Sequence, residues 1–200
     1  GRQMDILALS IWLRYLQQYE PNLPFPDNAY KGDYIIDIAI ELKHTYQGRF
    51  KLINDDLYKC HEEKDDELKI DALIQFCRNI LDEENYQLIF TAGLNAILET
   101  IKTDLSEFGV SFNNWFSERS LVDKDSVTKC ITQLRENNWI YEKDGAQWFS
   151  SSKLGDEKDR VLIRENGQAT YFASDIAYHF EKVERGFDKL IDIWGADHHG

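Results

Sequence analysis

Cysteine is scarce in this 200-residue chain, which has only Cys60, Cys77 and Cys130. The number is odd and no two form a Cys-x-x-Cys pair, so neither a disulfide framework nor a zinc cluster is expected. The three read as reduced structural thiols, which points to a cytoplasmic setting. Long apolar runs are missing too: nothing approaches the roughly 20 residues that a membrane-spanning helix needs, so no membrane partner is expected. No signal peptide opens the sequence. Positive charge is in short supply, with 23 Lys and Arg against 36 Asp and Glu and a net charge of −13. Such a surface repels phosphate backbones, so little nucleic-acid affinity is expected of these residues alone. Proline is confined to Pro21, Pro24 and Pro26, a cluster that marks a linker or domain edge. The chain starts on glycine and its single methionine, Met4, lies where a helical pattern is already under way, so it reads as an internal piece of a longer protein.

What is present is an ordinary globular composition, 42% hydrophobic and 30% charged, long enough for a sizeable core. Ile6, Leu9, Leu13 and Leu16 recur at helical spacing across residues 4–19, with Trp12 widening the stripe. A helical pattern resumes over Tyr34–Leu42, charge dominates from Asp55 to Glu67, and helical periodicity returns through Leu73–Ile80 and Ile89–Leu105. Gly109–Phe112 reads as a strand and 124–137 as an amphipathic helix (Val127, Cys130, Ile131, Leu134). Lys143-Asp144-Gly145 between two apolar runs signals a hairpin, and Asn166-Gly167 after Arg160–Arg164 signals another. The run Asp55–Asp56 and Glu62–Asp66 reads as a solvated face, and Trp115, Trp148 and Trp194 as core aromatics.

The chemistry concentrates between Thr170 and Gly200. A helical stretch there feeds a short apolar strand, residues 190–194, which stops at Gly195 followed by Ala196, Asp197, His198 and His199. In open parallel α/β sheets, ligands bind just past the carboxyl ends of strands. An acid, two imidazoles and two glycines at that point suit a nucleotide- or phosphate-handling site. Tyr171 and Asp175 are four apart, so a helix beginning near Phe172 brings both to one side of its first turn. A carboxylate beside a phenol suits a guanidinium, because the acid can accept a bidentate charge-assisted pair. The bland alternatives are a helix-terminal charge for Asp175 and a core position for Tyr171. Asp197, His198 and His199 could instead serve a metal-dependent hydrolase, although adjacent histidines on an extended segment point to opposite sides. A non-catalytic helical interaction module is a further alternative.

Tyr171-Phe-Ala-Ser-Asp175-Ile-Ala-Tyr178-His179, Arg185-Gly-Phe-Asp188 and Trp194-Gly-Ala-Asp-His-His-Gly200 together closely resemble the arginyl-tRNA synthetases. The resemblance extends through Asp144-Gly-Ala-Gln-Trp148-Phe149 and Gly155-Asp-Glu-Lys-Asp159-Arg-Val-Leu162. It continues to Phe112-Asn-Asn-Trp115-Phe-Ser-Glu118 and the opening Gly1-Arg2-Gln3-Met4-Asp5, and is weakest over residues 45–82. It implies an α/β fold with an incomplete Rossmann-type class I catalytic core, a mainly α-helical insertion and a small α+β insertion. The implied division is core over 1–20, 83–116 and 170–200, with insertions over 21–82 and 117–169. The implied activity is ligation of arginine to its tRNA through an adenylate formed from ATP, with Mg2+ accompanying ATP. Arginine, ATP and tRNA are thus the implied partners of the full-length protein.

The same resemblance assigns Tyr171, Asp175 and His199 to arginine, and Gly195, Asp197 and His198 to ATP. Gln3 is implied as an active-site neighbour, against the bland reading of a surface glutamine. No residue of the chain is expected to act as a nucleophile or general base. The family's His-Ile-Gly-His-type and Lys-Met-Ser-Lys-type elements do not occur in this sequence, so the 200 residues alone are expected to be inactive. Asn113 stands where the family usually has aspartate, which keeps a turn acceptor and removes a charge.

Overall fold

Ten apolar or small residues between Ile6 and Leu16 leave no polar face on the first helix, α1 (Arg2–Gln17), so it can only be stable when surrounded. The computed structural model describes residues 1–117, 119–123 and 125–196 and shows how this is met. The chain divides into two compact units, the first covering Gly1–Ser111 and the second beginning at Phe112.

In the first unit, α1 is flanked by α2 (Asp33–Tyr46) and by α4 (Asp66–Glu107), with the short α3 (Asp55–His61) against α4. Trp12 is fully buried, and its indole N–H donates to the Phe50 carbonyl at 3.0 Å. The buried Ser10 hydroxyl donates to the Ile6 carbonyl at 2.6 Å and accepts from the Tyr30 amide at 3.0 Å, so the Trp12 and Ser10 polar groups taken into this core are satisfied. Ile35, Ala39 and Leu42 supply the buried stripe of α2; Ile70, Leu73, Cys77 and Leu81 supply that of α4. Asn54 and Asp65 cap α3 and α4 by accepting from amides of the first turn. The expected charged run is exposed as read, and it holds these two helix starts. One residue interrupts α4: Asp82 takes φ 59°, ψ 170°, and its carboxylate accepts from the Asn85 amide at 2.9 Å, capping the helix that resumes.

The second unit contains α5 (Arg119–Asp123), α6 (Ser126–Glu136), strands β1 (Ile140–Lys143), β2 (Ala146–Phe149) and β3 (Arg160–Ile163), and α7 (Tyr171–Glu184). The strands form an antiparallel sheet in the order β1-β2-β3. Ile140 faces Phe149 and Lys143 faces Ala146, which leaves a two-residue turn at Asp144 (φ 52°) and Gly145 (φ 74°). Both central residues need positive φ, and Asp-Gly supplies that. The chain folds back after β3 through Asn166-Gly167, with a bridge between Ile163 and Ala169. Ile131, Leu162 and Ala173 form a small core with Phe149, Phe172 and Ile176 around it.

The architecture is therefore mixed α and β, and three expectations need correction. Gly109–Phe112 forms no strand; Phe112 is exposed in a loop that starts at a left-handed glycine (φ 84°). Residues 190–194 form no strand either, because no neighbouring segment among the described residues completes a ladder with them. Trp115 and Trp194 are not core aromatics, being 41% and 59% exposed, and Trp148 is only partly buried on the sheet.

Candidate functional site

The candidate site rests on α7, whose start is fastened to the sheet by one residue. The Thr170 hydroxyl donates to the Val161 carbonyl at 2.8 Å and accepts from the Ala173 amide at 3.3 Å, while the Thr170 amide donates to the Leu162 carbonyl at 2.9 Å. Thr170 is thus both the helix cap and the link to β3, and helix is the natural continuation. Ala173 and Ala177, four apart, are buried, with Phe172 and Ile176 partly buried beside them. That fixes the rotation of α7 and sends the other face outward.

Tyr171 and Asp175 lie on that outward face, both exposed, with Tyr171 at 87%. The structure does bring them together one helical turn apart. Tyr171 is not a core residue, and Asp175 is not the cap, since Thr170 fills that role. Among the described side chains no cation pairs with Asp175, so its carboxylate is available to a guanidinium. A shallow depression of about 260 Å³ opens at the same end of the helix, lined by Arg164, Ala169, Thr170, Tyr171 and Ser174.

The other end of α7 carries a second set of contacts. The Tyr178 ring lies 4.4 Å from that of Phe116, and the Lys182 ammonium sits 4.5 Å above the Tyr178 ring. After the turn at Gly186 (φ 76°), the chain runs back along the helix, and Lys182 reaches Asp192 at 2.5 Å. That hydrogen bond, with the adjacent positive charge, holds the Asp192 carboxyl below its ordinary pKa. His179 Nδ1 lies 3.8 Å from the same carboxylate, and the His179 ring stacks at 6.3 Å on Trp194. Gly195 follows, exposed.

Asp197, His198 and His199 lie outside the described residues, so the ATP positions after Gly195 and the trio of the hydrolase alternative have no described geometry. Gln3 belongs to the first unit; it is exposed on α1 and accepts a hydrogen bond from the Tyr30 hydroxyl. Among the described residues no group of three His, Cys, Asp or Glu could hold a metal ion, and no helix is long and apolar enough to cross a membrane. Sequence reasoning missed Lys182 and Asp192. Ten residues apart across a turn, they share no periodic spacing that would pair them.

No family model matches the chain. Comparison with curated proteins nevertheless associates it with one class, the ligases that join an amino acid to tRNA. The relatives are named arginine–tRNA ligase. That of Thioalkalivibrio sulfidiphilus is 53% identical over 205 residues, covering all of this chain and 35% of the relative. That of Hydrogenovibrio crunogenus is 53% identical over 211 residues, covering all of this chain and 36% of the relative. That of Coxiella burnetii is 48% identical over 205 residues, covering all of this chain and 35% of the relative. A crystal structure provisionally named an arginyl-tRNA synthetase, from Campylobacter jejuni, matches with a TM-score of 0.68 at 34% identity, covering 98% of this chain and 37% of that one. The chain is thus homologous along its whole length to a segment of the arginine–tRNA ligases and spans about a third of their length.

Proposed function

We propose that these 200 residues form part of the catalytic region of an arginine–tRNA ligase. The observation that carries the reading is identity of 48–53% extending over the entire chain to proteins of that name. In the proposed reaction the arginine carboxylate attacks the α-phosphorus of ATP, releasing pyrophosphate and leaving arginyl-adenylate. A terminal ribose hydroxyl of tRNA then attacks the arginyl carbonyl and releases AMP. Mg2+ enters as the counter-ion of the ATP phosphates. Such chemistry depends on positioning and charge stabilisation rather than on a protein nucleophile.

Within that reaction α7 offers Tyr171 and Asp175 to the arginine guanidinium, with His199 near the same substrate. Gly195, whose missing side chain lets backbone approach a nucleotide closely, acts with Asp197 and His198 on ATP. Gln3 is a neighbour of the site. The complete ligase carries a Rossmann-type core, to which 1–20, 83–116 and 170–200 belong, with 21–82 and 117–169 as insertions. The enzyme works in the cytoplasm.

Arginine-dependent ATP–pyrophosphate exchange, measured on the full-length protein that carries this segment, tests the reading. Exchange that requires arginine, and no other amino acid in its place, is the expected result. Absence of exchange, with stoichiometric metal in the purified protein, would favour the hydrolase that uses Asp197, His198 and His199.

A further inference from the structure

We infer that Lys182 and Asp192 are positioning residues that lock the strap over 187–194 onto α7, and so hold the nucleotide-binding end of the site in register with the arginine-binding end. The inference rests on the reading above and adds two residues to it. Its basis is the side of the strap on which each residue lies. In an extended segment alternate side chains point to opposite faces. Asp192 meets Lys182 at 2.5 Å and approaches His179 at 3.8 Å, and Trp194 stacks on His179. Ile191 and Ile193 point away, 73% and 95% exposed. The strap therefore touches α7 through Asp192 and Trp194, and Asp192 makes its charged contact.

The partners on α7 are three residues apart, so they stand on one face of the helix and both address the same carboxylate. Lys182 is itself constrained, with its side chain only 17% exposed and its ammonium over the Tyr178 ring, which in turn packs on Phe116. A cation already held in place loses less side-chain freedom on pairing, so this ion pair orients better than a free surface pair. Gly195 lies three residues beyond Asp192, and Asp175 lies seven residues before Lys182 on the same rigid helix. The pair is thus a short charged link between the two ends of the proposed site.

The test uses the full-length ligase and arginine-dependent exchange. Lys182→Met and Asp192→Asn should each raise the KM for ATP and lower kcat by about three- to tenfold, which at 1.4 kcal/mol per tenfold corresponds to a partly shielded pair of about 0.7–1.4 kcal/mol. The KM for arginine should stay within about twofold, because α7 keeps its own fastening at Thr170. Lys182→Arg should restore most of the loss, and the double variant should be no worse than either single one. Thermal melting of each variant identifies unfolding; a variant that unfolds is replaced by the charge swap Lys182→Asp with Asp192→Lys, which should regain ATP affinity relative to Lys182→Asp alone. Additive effects, or an arginine KM that rises with that of ATP, would overturn the positioning role. Failure of the underlying reading is distinguishable: Asp175→Asn would then leave arginine kinetics unchanged, whereas failure of this inference alone leaves the Asp175→Asn defect intact.

Discussion

Asp82 sits in a backbone region that almost only glycine occupies, yet it caps the helix that follows; substituting it separates the two effects. At φ 59° and ψ 170° a residue with a Cβ carries strain of about 1–3 kcal/mol. Its carboxylate accepts from the Asn85 amide at 2.9 Å and the Asn85 side chain at 3.0 Å, a capping contribution of about 0.5–2 kcal/mol relative to alanine. Asp82→Ala keeps the strain and removes the cap, so it should cost about 0.5–2 kcal/mol. Asp82→Gly relieves about 1–3 kcal/mol, loses a few tenths as a poorer cap, and loses about 0.5–1 kcal/mol to the greater freedom of the unfolded chain. The balance is from neutral to about 2 kcal/mol more stable, opposite in sign to alanine. Urea unfolding of the 200-residue chain, followed by far-ultraviolet circular dichroism, measures both. Glycine proving less stable than alanine would refute the assigned strain, because both variants lack the carboxylate cap and differ in backbone freedom.

Other outcomes follow from the same contacts. A Cβ at Gly93 would stand 2.6 Å from Ile11 Cδ1 and 3.3 Å from Leu7, at the close approach of α4 to α1. Because Ile11 Cδ1 is the free end of a side chain, Gly93→Ala should fall within about 1 kcal/mol of wild type, the helix-propensity gain of about 1 kcal/mol offsetting the crowding. Gly93→Val should lose more than about 2 kcal/mol, and equal stability of the two variants in urea would contradict the packing. Burial, and secondarily the charge of Lys69, keeps the His61 imidazole below its ordinary pKa, so it stays neutral in the folded state. The unfolded state then binds the extra proton first, and stability should fall as pH drops below about 6.5. Replacing His61 with Gln should flatten that slope; an unchanged pH profile would show that His61 does not contribute to it. Tyr141→Phe removes the phenol that donates to the Asp159 carboxylate at 2.8 Å; the contact is exposed and screened by solvent, so the melting temperature should shift only slightly, and a large drop would contradict that exposure.

Periodicity made α1, α2 and α6 legible, because in each one apolar face had to be buried, and Asp144-Gly145 announced its hairpin through its need for positive φ. The helix at Asp55–His61 was hidden by its own charge, its single buried residue being Leu57. Apolar positions through Leu73–Ile80 and Ile89–Leu105 read as helical, but the break at Asp82 depends on one residue's backbone and leaves no periodic mark. Leu190–Trp194 has the composition of a buried strand; strand geometry also needs a ladder partner, which sequence composition does not reveal. The tryptophans misled for a related reason: large apolar area favours burial without saying which side of an element is covered, and only Trp12 lies fully inside. Tyr171 and Asp175 were readable as a pair because helical spacing alone places them together. Lys182 and Asp192 meet through a turn, so their pairing had to be seen in three dimensions.

The central claim is that the outward face of α7 receives the arginine guanidinium through the Asp175 charge, and Asp175→Asn in the full-length ligase tests it most directly. Asparagine keeps the size and one acceptor while removing the charge. Asp175 is exposed on this helix, so the loss is that of a charged hydrogen bond, about 1.5–3 kcal/mol, or roughly 10- to 100-fold in arginine kcat/KM. Arginine-dependent ATP–pyrophosphate exchange should show that loss with the KM for ATP nearly unchanged and the circular dichroism spectrum intact. Tyr171→Phe should cost less, about 0.5–1.5 kcal/mol for a neutral hydroxyl contact. An arginine kcat/KM for Asp175→Asn within about threefold of wild type, less than about 0.7 kcal/mol, would contradict the account.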